Sequence, residues 1–181
     1  QEQIRKTLAM GADRAVLLKA DALPADGLAV ARALAAELKD GGYDLILFGR
    51  IAIDSSNQMT GPMVAELLNL PCVTNVSKLE IAGGKGTAHR TLEGATEVVE
   101  FPLPALLTID EGLKKERLPS LKGIMAAKKK PLEIKTPQFG DSRVTITKME
   151  LPPERAAGRI LGDSAAAVPE LHQHFVAIAL F

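Results

Sequence analysis

The chain has 181 residues, which fits a single domain with room for a sizeable core. Its 22 basic and 22 acidic side chains balance, so the chain lacks the basic excess typical of nucleic-acid-binding domains. No apolar run reaches the roughly 18–20 residues needed to cross a membrane, and we expect neither a nucleic-acid partner nor direct membrane insertion. The single cysteine, Cys72, excludes an internal disulfide and favours a reducing compartment.

The first half of the chain alternates helix and strand patterns. Residues 2–13 carry apolar side chains at helical spacing, and residues 15–18 form a short apolar run typical of a buried strand. A strong amphipathic helix is predicted over 27–42, where a glycine pair ends it. Residues 43–49 have almost no polar alternation, which favours a parallel strand covered on both faces. A further helix is predicted over 63–69.

The second half predicts strands first and little regular structure after them. Residues 72–83 and 87–110 have strand character, with turns at 83–86 and at Gly94. After Asp110 the pattern breaks into a polar, basic segment and then a proline-rich tail that resembles an extended arm. These patterns predict an α/β fold with a Rossmann-like parallel sheet and helices on both faces, followed by the extended C-terminal arm.

A polar loop follows the strand that ends at Gly49. Residues 54–58 offer carboxylate, hydroxyl and amide groups, and ligands of parallel sheets bind beyond the carboxyl ends of strands. A helix starting near Thr60 and Gly61 would present free backbone N–H groups and a positive dipole end, which favour a phosphate. We also expect Gly61 to let the backbone approach a ligand closely. Because Asp and Ser also cap helices without any ligand, a plain helix cap remains open.

No group of residues in the chain resembles a catalytic site. The phosphate-loop pattern G-x-x-x-x-G-K-[ST] and the dinucleotide pattern G-x-G-x-x-G are both absent from the sequence. The three histidines lack metal-ligand spacing, and we expect Cys72 to be a small buried core residue rather than a nucleophile. We therefore predict neither an enzyme nor a metal site.

A basic patch covers residues 126–131 and follows an isolated apolar residue, Leu121. An exposed apolar side chain on a charged loop is a reasonable anchor for docking a partner. A basic rim would speed encounter with an acidic partner, although a solvated surface is the alternative reading.

Four motifs, in the expected order, resemble the β subunit of electron transfer flavoprotein. They are "IRKTLAMGADRAV", "LFGRIAIDSSNQMTGPMVAELL", "AHRTLEGATEVVEFPLPALLT" and "LPSLKGIMAAKKKP". A fifth stretch, "PPERAAGRI", is similar to the family's C-terminal arm. The family's N-terminal portion has no counterpart here, so we expect an N-terminally incomplete chain. Thr91 also departs from the family, which often has glutamate at that position.

The resemblance implies a scaffold and docking role. Such β subunits pair with an α subunit that supplies most of the FAD site, and they bury one structural AMP. The heterodimer carries electrons from acyl-CoA or related dehydrogenases, in fatty acid oxidation and similar pathways, to a quinone oxidoreductase. The redox chemistry belongs to the flavin. The expected location is the bacterial cytoplasm, or the mitochondrial matrix in a eukaryote.

The resemblance also places domains and sites on this chain. Residues 1–150 would form the nucleotide-binding domain, and residues 151–181 the arm contacting the partner subunit. Leu121, Lys128 and Lys129 would dock the dehydrogenase. AMP would be held by ten residues of the polar loop: Gly49, Arg50, Ala52, Asp54, Ser55, Ser56, Asn57, Gln58, Met59 and Thr60.

Three other functions remain open from the sequence. In an electron-bifurcating relative, a second FAD would replace AMP, although the Thr60-Gly61 pair is more similar to AMP-holding members. A nucleotide-binding stress or regulatory module of the same superfold would bind exchangeable ATP. A pure interaction domain would use the loop only as a helix cap.

Overall fold

A computed structural model describes residues 1–22, 24–115, 117–155 and 157–177. The chain divides into two compact units, Gln1–Ile146 and Thr147–Phe181. The domain boundary expected at residues 150 and 151, and the contact of the arm with a partner subunit, stay predictions. Residues 178–181 of the expected arm lie outside the described residues.

Helices and strands alternate through the first part of the chain. The helices are α1 (Glu2–Ala9), α2 (Gly27–Leu38), α3 (Thr60–Leu68), α4 (Leu121–Ala127) and, in the second unit, α5 (Val168–Ala177) after a single 3₁₀ turn at Ala165–Ala167. The strands are β1 (Ala15–Leu18), β2 (Leu45–Gly49), β3 (Cys72–Ala82), β4 (Lys85–Leu92), β5 (Ala95–Pro102), β6 (Ala105–Ile109) and β7 (Leu132–Lys135).

The strands form two sheets. The larger has the order β2-β6-β3-β4-β5, in which β2, β6 and β3 are parallel and β3, β4 and β5 are antiparallel. The smaller consists of the parallel pair β1 and β7. The register pairs Leu45 with Ala105 and Gly49 with Ile109, so β2 and β6 end level with each other. The predicted α/β class with a parallel, Rossmann-like sheet is confirmed.

Two apolar clusters hold the larger sheet together. In one, small residues of α2 and α3 pack against Ile46 of β2 and Leu106 of β6. Because alanines dominate these helix faces, the two helices approach each other and the sheet closely. In the other, Phe101 of β5 and Ala88 of β4 are buried together with Val73 and Leu107.

Regular structure extends further along the chain than the sequence predicts. The expectation of a loop around Leu121 is wrong, because Leu121 is the first residue of α4, and Ser120 caps that helix by accepting from the Gly123 amide at 3.0 Å. Strand β7 was not predicted. The end of the expected extended arm carries α5, where Glu170 accepts a hydrogen bond from Arg159. Residues 147–155 and 157–164 contain no helix or strand.

Cys72 differs from its expected place in the core. It begins β3 and is exposed. Partial shielding from water nevertheless raises the pKa of its thiol, which works against a reactive thiolate.

Candidate functional site

A cleft of about 470 Å³ opens at the carboxyl end of β2. That volume lies within the usual range for small-ligand sites. Nine of the ten residues predicted to hold AMP line the cleft; Ser56 does not. The amino end of α2 completes the wall with Ala25 and Gly27, a contribution that the sequence did not predict.

The loop from Gly49 to Thr60, called here the 49–60 loop, is held in shape by its own backbone. The Ser56 amide donates to the Ala52 carbonyl at 2.9 Å, and the Ser55 amide donates to Asp54 Oδ1 at 2.7 Å. Ser56 and Gln58 both have a φ of 54°, in the left-handed region that side chains of this kind rarely adopt. Two such residues so close together mark a constrained segment, a feature concentrated at binding sites.

The N-terminus of α3 opens into the cleft without a side-chain cap. Met59 precedes the helix, and no side chain in the described part of the chain accepts from its first turn. Asp54, the nearest carboxylate in the loop, bonds the loop's own backbone instead. The amides of Thr60 and Gly61 therefore remain available to an acceptor from outside the helix, and the helix dipole favours an anionic one.

The N-terminus of α2 lies in the same cleft but already has its anion. Asp26 is 5% exposed; its Oδ1 accepts from the Leu28 amide at 2.9 Å and its Oδ2 from the Arg143 amide at 2.9 Å. These bonds, that from Arg143 first, lower the pKa of the Asp26 carboxyl, so it stays charged. In this cleft the N-terminus of α2 is capped by a carboxylate, whereas the N-terminus of α3 is uncapped. An added phosphate is therefore favoured at α3.

Gly61 lets the start of α3 pack closely against the sheet. A Cβ at this position would lie 2.7 Å from Thr108 Cγ2 of β6 and 3.4 Å from Phe48 Cβ. Only glycine lets the start of α3 lie this close to the sheet. The structure shows this close approach to the sheet, and the expected close approach of a ligand to Gly61 stays a prediction.

Arg50 and Asp110 join the ends of β2 and β6. Arg50 Nη1 lies 3.1 Å from Asp110 Oδ2, and the Arg50 amide donates to the Ile109 carbonyl at 2.9 Å. The buried Nε of Arg50 meets no acceptor among the described atoms. A donor of this kind at the cleft fits a ligand oxygen or ring nitrogen. The sequence missed Asp110, although it follows β6 as Arg50 follows β2.

The predicted docking residues are exposed; Leu121 begins α4, and Lys128 and Lys129 follow its last residue. Leu121 is 79% exposed, and Met125 stands one helical turn away from it. Lys128 and Lys129 are also exposed, whereas Lys130 is half-buried and bonded to the backbone of α1 and the residue Ala12. The basic patch therefore contains two lysines available to a partner and one that is structural.

The described residues contain no cluster of three or more His, Cys, Asp or Glu side chains arranged to hold a metal ion. They also contain no helix with the length and apolar character needed to span a membrane.

Comparison with known proteins identifies the family. The electron transfer flavoprotein domain model matches residues 1–138. The chain is 43% identical over 157 residues to electron transfer flavoprotein subunit beta of Syntrophomonas wolfei, covering 87% of this chain and 62% of that protein. It is 39% identical to the Bacillus subtilis subunit over 181 residues, with 94% and 70% covered, and 38% identical to the Mus musculus subunit over 165 residues, with 87% and 65% covered. The chain thus spans roughly two thirds of the length of these relatives. It belongs to the β-subunit family of electron transfer flavoproteins.

Proposed function

We propose that this chain works as the β subunit of a heterodimeric electron transfer flavoprotein and holds a structural AMP on the 49–60 loop. The observation that carries the AMP site is the uncapped N-terminus of α3 in a cleft of suitable size. Its family places the chain among electron carriers, and its relatives are named as β subunits.

AMP would meet complementary groups along the loop. The Thr60 and Gly61 amides and the Thr60 hydroxyl would take the phosphate. Ser55 and Gln58 would lie toward the ribose, and Arg50 Nε would find the acceptor that it lacks among the described atoms. In this arrangement the chain's residues bind and orient the nucleotide and perform no bond chemistry.

The redox chemistry would come from FAD, held mainly by an α subunit, which accepts and donates electrons when bound. This chain would supply the scaffold beside it. Donors of the acyl-CoA dehydrogenase type would dock at Leu121, with Lys128 and Lys129 at the rim, and a quinone oxidoreductase would receive the electrons. The location would be the bacterial cytoplasm or the mitochondrial matrix, since relatives occur in bacteria and in mammals.

In the deciding experiment, the purified heterodimer is denatured and the released nucleotide is identified by mass spectrometry. We expect one AMP for each heterodimer. A second FAD in its place would indicate the bifurcating type, and exchangeable ATP on a homodimer would indicate a regulatory module. Absence of any nucleotide besides the shared FAD would reduce the 49–60 loop to a structural turn and overturn the AMP proposal.

A further inference from the structure

Strand β3 contains a bulge where it runs alongside the end of β6. The register of β3 against β6 shifts between Val73 and Val76. Two residues of β3, Thr74 and Asn75, therefore stand against one residue of β6, Thr108. Asn75 has a φ of 58°, in the left-handed region. Bulges are common next to functional sites, where they re-aim a side chain.

Hydrogen bonds from both neighbouring strands fix the bulge. On the β4 side, Arg90 Nε donates to the Thr74 carbonyl at 2.8 Å, and Arg90 Nη2 donates to the Thr74 hydroxyl at 3.0 Å. Arg90 Nη1 is in turn paired with Glu97 Oε2 of β5 at 2.6 Å. On the β6 side, the Asn75 amide donates to Thr108 Oγ1 at 3.1 Å. Contacts with β4 thus help to place the amide that Thr108 accepts from.

Thr108 uses both branches of its buried side chain. It is 3% exposed, and its Oγ1 accepts from the bulge. Its Cγ2 faces Gly61 of α3, because a Cβ on Gly61 would lie 2.7 Å from that methyl. A β-branched side chain has few χ1 rotamers, so a bond at one branch fixes the direction of the other. The bulge therefore fixes the direction in which the Thr108 methyl points, which is toward α3.

Gly61 lies in the first turn of α3, whose amides are proposed above to take the nucleotide phosphate. The helix begins at Thr60, and both Thr60 and Gly61 line the cleft. Hydrogen bonds lose strength steeply as their distance and angle depart from the ideal. Any displacement of this turn from the sheet would therefore move both amides and weaken their bonds to a bound phosphate.

The bulge also supports the Arg50–Asp110 pair. Immediately after the bulge, the Val76 carbonyl accepts from the Asp110 amide at 2.9 Å. Asp110 Oδ2 lies 3.1 Å from Arg50 Nη1, and Arg50 lines the cleft. Two walls of the cleft, the start of α3 and the end of β2, are thus connected to the same bulge.

We propose that Thr108 is a positioning residue for the nucleotide site, held in its working rotamer by the β3 bulge. Thr108 is not among the described residues that line the cleft. Its methyl sets the distance of the first turn of α3 from the sheet, and its hydroxyl connects that turn to the bulge. The inference rests on the proposed nucleotide site at the 49–60 loop and adds the support behind it.

A double-mutant cycle tests the methyl contact, with AMP as the probe and calorimetric titration of the nucleotide-free heterodimer as the measurement. The new Cβ of Gly61→Ala would meet the Thr108 methyl and displace α3, so AMP affinity should fall about tenfold. Thr108→Ser removes that methyl and keeps the hydroxyl. The double variant Gly61→Ala/Thr108→Ser should therefore bind AMP within about threefold of the unaltered heterodimer.

Thr108→Val tests the connection to the bulge. Valine keeps a methyl toward Gly61 but leaves the Asn75 amide without its acceptor, so AMP affinity should fall about three- to tenfold. Gly123→Ala is the control for general destabilisation, because its Cβ would lie 2.5 Å from the Ala9 carbonyl oxygen in α1. It should lower the unfolding midpoint and leave AMP affinity unchanged. Should Gly61→Ala fail to assemble, Thr108→Val decides.

Three outcomes would overturn the inference. The first is AMP affinity that Gly61→Ala and Thr108→Val leave unchanged. The second is a loss in Gly61→Ala that Thr108→Ser does not restore, which would mean that the new Cβ meets the ligand itself. The third is an equal loss of affinity in Gly123→Ala. An unaltered heterodimer that binds no AMP would instead refute the proposed nucleotide site, and this inference with it.

Discussion

Arg5 of α1 binds carbonyl oxygens at and just beyond the end of α4. Lys130, which follows α4, binds carbonyl oxygens at and just beyond the end of α1. Arg5 Nη1, on α1, donates to the carbonyls of Ala127 and Lys130 at 2.7 and 2.6 Å, just where α4 ends. Lys130 Nζ donates to the carbonyls of Leu8 and Ala12 at 3.0 and 2.7 Å, where α1 ends. Cations at helix C-termini satisfy carbonyls that the helix leaves free and interact well with its dipole. This exchange thus joins α1 to α4, the helix that begins with the predicted docking residue Leu121.

Replacing Lys130 with methionine should destabilise the first unit by about 1–3 kcal/mol, because partly buried carbonyls lose a charged donor. Urea unfolding followed by circular dichroism measures the change. Lys129→Met is the matched control, since Lys129 is the exposed neighbour, and it should have an effect within about 0.5 kcal/mol. Equal losses in the two variants would show that the exchange contributes nothing specific.

Gly123→Ala should separate α4 from α1. A Cβ there would lie 2.5 Å from the Ala9 carbonyl oxygen, a backbone atom that cannot rotate away. We expect a loss of about 1–3 kcal/mol despite the better helix propensity of alanine. Gly27→Ala is the control, because that helical position has no neighbouring atom within 4 Å. Urea midpoints should fall for the first variant and stay level or rise for the second; any other order contradicts the packing argument.

Met59→Asp should change stability and AMP binding in opposite directions. A carboxylate beside the uncapped start of α3 stabilises the helix by about 0.3–1 kcal/mol and repels a phosphate at the same place. Met59→Asn is the control, because asparagine has the shape of aspartate without its charge. Relative to Met59→Asn, we expect Met59→Asp to have a higher unfolding midpoint without nucleotide and an AMP affinity about tenfold lower. Calorimetric titration of the nucleotide-free heterodimer measures the affinity. Equal AMP affinities in the two variants would place the phosphate elsewhere.

Asp26 should make folding stability depend on pH on the acid side. Its folded-state pKa is lowered by hydrogen bonds from the Arg143 and Leu28 amides, so its stabilising effect is present above the ordinary pKa of an aspartate, about 3.9. That effect is lost as pH falls through the lowered folded-state value. The urea midpoint of Asp26→Asn should lie well below that of the unaltered chain at pH 7 and approach it as the pH falls below the ordinary pKa of an aspartate. Asp21→Asn, at an exposed position, should leave the urea midpoint close to that of the unaltered chain at both pH values. A difference in midpoint between Asp26→Asn and the unaltered chain that is independent of pH would argue against a role for the charge of Asp26.

Leu121→Ala should slow electron transfer from the dehydrogenase without weakening association with the α subunit. Leu121 is exposed on α4, so its loss removes docking area and leaves the core intact. Stopped-flow flavin reduction and analytical ultracentrifugation measure the two properties. Leu118→Ala is the control, at 77% exposure just before the helix. Parallel loss of transfer and assembly would make Leu121 a structural residue.

Hydrophobic patterning predicted the elements that bury an apolar face. Strand β1 was located at its observed residues, and α2, β2 and the β3–β5 hairpins were located within a few residues of their ends. Helix α4 was missed because it is short, contains Gly123 and turns Leu121 and Met125 outward, so its apolar residues do not show a buried face.

The candidate site was predictable where it is local in sequence. The 49–60 loop is continuous, so strand-end reasoning found nearly all of its cleft-lining residues. The Arg50–Asp110 pair and the bond from Arg143 to Asp26 join residues far apart in the chain, and no sequence spacing indicates them. The cap of α2 was overlooked, although Asp26 directly precedes the helix predicted from residue 27.

The level ends of β2 and β6 set which length changes the 49–60 loop tolerates. Arg50 faces Asp110 because Gly49 is paired with Ile109. One residue added within either strand would shift that pairing and separate the ion pair, and it would also turn the following side chains to the opposite face. One residue added between Ile53 and Asn57 would break the bond from the Ser56 amide to the Ala52 carbonyl and reshape the rim of the cleft, but it would leave the Arg50–Asp110 pair in place. A change in loop length would therefore alter the contacts that the rim makes with a ligand, whereas a change in strand length would displace the end of the cleft itself.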